Sequence, residues 1–147
     1  SDVYFGGATV SGSTVNFTWA MFSGRIVDFS GATVSGGTVD FSGATVSGGT
    51  LNFFGTTFSG GTVGFGGARF SYGTVGFRAA TFSGGTVNFR SATLADGTVE
   101  FRGATISGST MDFRSTSGPA PGGLLMAVGT PVPPDIHLRA DWFPSDS

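Results

Sequence analysis

The sequence predicts an all-β protein, a parallel β-solenoid (β-helix), on three observations. Phenylalanine recurs at every twelfth residue from Phe5 to Phe113 without a slip. Between these positions apolar and polar residues alternate in short runs, as in Thr38-Val39-Asp40-Phe41-Ser42, which is the period-two signal of a half-buried strand. Glycine-rich corners such as Gly36-Gly37 separate the runs. An internal repeat at a short fixed period is the mark of a solenoid, because each unit can bury its apolar face only against its neighbours.

Stacking the chain in rows of twelve makes each element explicit. A small residue follows each Phe by three (Ala32, Ala44, Thr56, Ala68), and a larger apolar residue comes two further on (Val34, Val46, Phe58, Phe70). A third apolar column precedes each later Phe by two (Val27, Val39, Leu51, Val63). Each row therefore reads as two short strands and two corners. The expectation is a stack of about nine to ten 12-residue coils at the usual inter-strand spacing of about 4.8 Å, with one phenylalanine ladder along its axis and large residues set against small ones across the core. The repeat domain runs over 1–116, and 117–147 forms a Pro/Gly-rich tail.

Composition agrees. The chain has 147 residues, with 27 glycines and 16 phenylalanines. Glycine alone would suggest disorder, but abundant aromatics, Val and Thr with few charges are the composition of a packed core. Net charge is −2 and there is no lysine, so the basic footprint of a nucleic-acid partner is absent. Without cysteine there is no disulfide frame and no thiolate site. The longest apolar run, Leu124 to Val128, is too short to span a bilayer. The first residue is not Met, which leaves room for a leader or an upstream domain.

"ATVSG" (Ala32 to Gly36) and "VDFSG" (Val39 to Gly43) resemble the pentapeptide-repeat unit, with Thr33 and Asp40 at its polar position and Val34 and Phe41 at its central one. The resemblance covers about Val3 to Arg114. It implies a right-handed β-solenoid, often without an enzymatic role and in some members a mimic of DNA. Spacing here alternates five and seven residues where that family keeps fives, which favours a flatter twelve-residue coil over its four-sided one. The repeat is also similar to Thr-rich insect antifreeze solenoids, whose internal disulfides the phenylalanine ladder would replace.

Function must lie in the outward columns. A grid of hydroxyls and methyls, represented by Thr33, Ser35, Thr45, Ser47, Thr57, Ser59, Thr81 and Ser83, is the candidate binding surface for ordered water, ice or carbohydrate. Threonine is also the best polar strand former, so the same grid is expected of a purely structural sheet. A later column, Arg78, Arg90, Arg102 and Arg114, is a candidate stripe for an anionic ligand; its acidic neighbours are too few for DNA mimicry. Phe54, at an outward corner, is a candidate anchoring contact. His137 is the only histidine and lies in the tail, and the acids are scattered, so no catalytic group, metal site or cofactor site is assigned. The tail is expected to fold over the last coil, with Trp142 and Phe143 or the Leu124–Val128 segment as the cap. The uncapped N-terminal end is expected to meet a protein partner or a second copy. The reading is a non-enzymatic structural or interaction module, a rigid rod with a regular Thr/Ser surface; the alternative is an ice- or carbohydrate-binding protein.

Overall fold

The computed structural model describes residues 2–24, 26–94, 97–129 and 131–142. It is a parallel β-solenoid, with two short strands per row as the alternation predicts. The rows do not lie directly over one another. Thr9 pairs with Thr33, Thr33 with Thr57, Thr57 with Thr81 and Thr81 with Thr105, so strands meet their equivalents 24 residues away. One coil is two rows, it carries four strand segments, and there are about five coils rather than nine or ten. A twelve-residue row contains one glycine bend and one tight turn, and together they take the chain only half-way round.

Four stacks of strands result. The first contains Thr9–Val10, Thr33–Val34 and Thr105–Ile106, and the second Thr14–Asn16, Thr38–Asp40 and Thr110–Asp112. In the middle coils Thr57–Gly64 and Thr81–Asn88 run through the bend as single strands and join these two stacks. The third stack is Met21–Ser23, Thr45–Ser47 and Arg69–Ser71. The fourth runs Val3–Tyr4, Ile26–Asp28, Thr50–Asn52, Thr74–Gly76 and Thr98–Glu100.

The core explains the coil length. There are two phenylalanine ladders, not one. Phe5, Phe29, Phe53, Phe77 and Phe101 stack in the first, with centroids 4.8–5.2 Å apart. Phe17, Phe41, Phe65, Phe89 and Phe113 stack in the second, at 4.7–5.1 Å. Rings from consecutive rows meet edge to face instead, as Phe41 and Phe53 do at 6.3 Å and 88°. Parallel-offset contacts along each ladder and T-shaped contacts between them are the two arrangements that an aromatic quadrupole favours. From Phe29 to Phe113 every ladder ring is fully buried. The small column fills the space beside them, and where Thr56 replaces alanine its buried hydroxyl donates to the Phe29 carbonyl at 2.6 Å.

The corners follow from local chemistry. After each Phe the chain makes a β-turn, with the N–H of the small residue donating to the Phe carbonyl, for example Ala44 to Phe41 at 3.0 Å. The third residue of the turn lies in the left-handed region, as at Gly43 (φ 68°), where glycine carries no steric cost. At the other bend the requirement is close approach: a Cβ on Gly36 would stand 2.7 Å from the Ser11 carbonyl oxygen one coil away. Where Asp or Asn precedes the β-turn, as at Asp28, Asp40, Asn52, Asn88 and Asp112, its side chain accepts from the backbone N–H two residues on, an Asx turn.

The tail first completes a coil and then closes it. Ser117 bridges to Thr93 and Gly122 to Glu100, both in parallel, before the short helix Leu124–Val128. Ile136–His137 then pairs with Met111 and Asp112. Trp142, in a 3₁₀ turn at Ala140–Trp142, sets its ring against Phe113 at 5.6 Å and 62°, and its Nε1–H donates to the Gly118 carbonyl at 3.2 Å. Arg139 bonds the Thr116 carbonyl at 2.8 Å and lies over the indole. Trp142 thus covers the last ring of its ladder, and Leu124 and Val128 of the short helix are buried in the same core; Phe143 lies outside the described residues.

Candidate binding surfaces

A 24-residue coil sorts the outward threonines and serines by side. The first stack carries Thr9, Thr33, Thr57, Thr81 and Thr105, and beside them lie Ser11, Ser35, Ser59, Ser83 and Ser107. The second stack carries Thr14, Thr38, Thr62, Thr86 and Thr110. Neither threonine column has an interruption. Every departure from the pattern falls on the other half of the coil. The third stack reads Met21, Thr45 and Arg69 at the first outward position, and the fourth has Ile26 below Thr50. Of the candidate residues, Thr33, Ser35, Thr57, Ser59, Thr81 and Ser83 share the unbroken side, whereas Thr45 and Ser47 stand on the opposite one.

The hydroxyls of the unbroken side are free. Among the described residues, side-chain hydroxyl donors from Ser and Thr are Thr18, Thr56, Ser109 and Thr116, none of them in the grid. The five serines are exposed, and the threonines are exposed or half-buried. Successive rungs repeat these groups at the strand spacing, about 4.8 Å. No charged side chain interrupts these threonine and serine columns.

The arginine stripe divides for the same reason. Arg78 lies one coil below Arg102, and Arg90 one coil below Arg114, on two different corners. Arg114 is held by Asp112, with Nε–Oδ1 at 3.0 Å and Nη2–Oδ2 at 2.9 Å. These bonds hold the Asp112 carboxyl below its ordinary range and push the Arg114 guanidinium up. Arg102 lies 3.6 Å from Glu100. Phe54 continues the Arg78–Arg102 column downward and is exposed. His137 extends the second stack over Asp112. Among the described residues no three of His, Asp and Glu gather as a metal cluster. No helix among them is long and apolar enough to cross a membrane.

Two further features stand at the corners of this surface. Trp19 and Tyr72 are each 80 % exposed and lie in the left-handed region at φ 62° and 60°. Both occupy corners that carry glycine in neighbouring coils, Gly43 for Trp19 and Gly48 for Tyr72. The replacement of a corner glycine by an aromatic residue is visible in rows of twelve, with Gly7 and Gly31 flanking Trp19 and Gly60 and Gly84 flanking Tyr72; the 24-residue coil adds that both lie on the same half.

No protein-family model matches the chain, and a search of the curated proteins found no match.

Proposed function

We propose that the chain is a non-enzymatic interaction module, a rigid solenoid that presents its unbroken Thr/Ser side to a ligand whose own structure is periodic. One observation carries the reading. Over five coils the outward Thr and Ser positions of one side are invariant, while the equivalent positions half a coil away have drifted to Met, Arg and Ile. Core packing cannot explain this, because both halves bury the same columns, and none of these hydroxyls donates to another group among the described residues.

An ordered water lattice, the surface of ice, is the ligand that such a grid suits. Short side chains on a fixed backbone lose little rotamer freedom on binding, and a methyl beside each threonine hydroxyl leaves water few alternative partners. The likeness to Thr-rich antifreeze solenoids and to the pentapeptide-repeat family supports a role for the surface without chemistry. Thermal hysteresis and partition into growing ice should be measurable for the wild type. They should be lost in Thr57→Tyr and Thr81→Tyr and kept in Thr45→Tyr, which changes the opposite side, with circular dichroism unaltered in all three. A wild type inactive toward ice rejects this ligand.

The first coil favours a second reading. Phe5 and Phe17 are only half-buried, each with a ladder partner on one face, whereas Phe29 and Phe41 are fully buried. A second copy placed end to end would cover them. Light scattering over a dilution series tests this; a constant monomer mass excludes it.

A further inference from the structure

The side opposite the Thr/Ser grid carries a different arrangement, centred on the strand Thr45–Ser47. At one end of this strand the Trp19 indole lies against Gly43: a Cβ built there would meet ring atoms Cε3 and Cζ3 at 2.6 and 2.7 Å. At the other end Tyr72 forms an antiparallel bridge with Ser47. Between the two aromatics stand the outward hydroxyls of Thr45 and Ser47, which bond nothing else among the described residues. From Gly43 to Ser47 is four residues, about 13 Å at strand rise.

Both aromatics are costly where they are. A bulky residue at positive φ is a backbone outlier that persists only when something else maintains it, and glycine, the residue of the neighbouring coils, would relieve it. Packing gives no return, since both side chains are four-fifths exposed. The indole is also braced, with backbone beneath it and most of its surface open to solvent.

We propose that Trp19, Thr45, Ser47 and Tyr72 form a saccharide-binding row, in which the two rings stack on the C–H faces of pyranose units and the two hydroxyls bond sugar hydroxyls between them. The chemistry selects this class. Flat aromatic faces flanking short polar groups match a chain of rings that is apolar on its faces and polar at its edges. The chain's net charge is −2, which disfavours a nucleic acid. Arg69, one coil above Thr45 and without an ion pair among the described residues, adds an exposed donor to the row. An acidic saccharide should therefore bind more tightly than a neutral one.

The full chain would be titrated with cellohexaose, chitohexaose and hexagalacturonate while tryptophan emission is followed. Trp142 is buried in the cap, so the signal reports Trp19. A saturable change with at least one of these, strongest for the galacturonate, is expected. By calorimetry, Trp19→Gly should abolish binding and Tyr72→Gly weaken it about tenfold. Both variants should melt no lower than the wild type, which separates loss of binding from loss of fold, and Thr57→Tyr should bind as the wild type does. Failure of all three saccharides at millimolar concentration overturns the proposal, as does full binding by Trp19→Gly. Neither result bears on the Thr/Ser side, which the ice assays test separately.

Discussion

The ring of Phe41 stacks on that of Phe65, 5.1 Å away and 4° from parallel, although Phe53 stands between them in the sequence. Phe53 instead presents itself edge-on to both, at 6.3 Å. Each phenylalanine inside the stack thus helps to hold two rows in its own ladder and two in the other. Phe53→Ala should cost about 3–5 kcal/mol, in the range of buried Phe truncations, with Phe53→Leu costing less. Phe5→Ala should cost least, because that ring is half-buried and has one stacked neighbour. Urea unfolding of the three variants gives the order directly.

Corner strain predicts gains in stability. Ala79 and Ser91 occupy left-handed turn positions, at φ 58° and 63°, that most coils fill with glycine. Relief of the Cβ clash exceeds the extra freedom that glycine gives the unfolded chain. Ala79→Gly and Ser91→Gly should each stabilise by about 0.5–1 kcal/mol, and additively, since they lie on different corners. A fall in melting temperature for either would contradict the turn assignment.

Close stacking at the Ser-Gly bend predicts a position-dependent loss. A Cβ on Gly108 would stand 2.6 Å from the Ser83 carbonyl oxygen, so Gly108→Ala must displace backbone and should cost about 1–3 kcal/mol. Gly12 holds the same position in the first coil, where nothing lies within 4 Å. Gly12→Ala should be close to neutral. Equal effects in a denaturant titration would mean that the coils are not in this register.

Removal of the cap should change the oligomeric state as well as the stability. Trp142→Ala loses the edge contact with Phe113 and the bond to the Gly118 carbonyl, a truncation of the kind that costs about 3–5 kcal/mol. It also uncovers the last ring and the strand ends around it, a template for pairing with another molecule. A lower melting temperature and a mass that rises with concentration are expected together.

The Asp112–Arg114 pair predicts an acid-side dependence. Because the folded-state pKa of Asp112 is lowered, chiefly by the Arg114 hydrogen bonds, its contribution is complete above the unfolded carboxylate value of about 3.9 and is lost as pH falls through the lower folded value. Arg114→Gln should be less stable than the wild type at neutral pH, and the gap should narrow as pH falls through the lowered folded-state value of Asp112. Paired melts at neutral and acid pH measure it.

Much of this architecture was legible because the inward columns are nearly perfect. Phe at every twelfth residue, the alanines three later and the two larger apolar columns define strands, corners and core without ambiguity. Those same columns hide the coil length. Both halves of the circuit bury equivalent side chains, so the core pattern looks the same whether one row or two complete a turn. Only the outward residues distinguish them: Met21, Arg69, Ile26 and Tyr72 all fall in one set of alternate rows, and the other set keeps its Thr and Ser throughout. The surface was therefore the part of the sequence that carried the period, and a reading that treats its irregularities as noise divides the Thr/Ser grid and the arginines wrongly. The cap was foreseeable in kind, from Trp142 in a tail beyond the last repeat, but the strand Ile136–His137 that steers it has no pattern to announce it.

The two-row circuit makes the count of repeats a matter of parity. Insertion or deletion of a single dodecad would leave the core intact, yet would rotate everything downstream by half a turn and exchange one side for the other. A lineage that lengthens this rod by tandem duplication keeps its faces in line only in even steps, so the smallest inheritable unit of the surface is twice the smallest unit of the sequence.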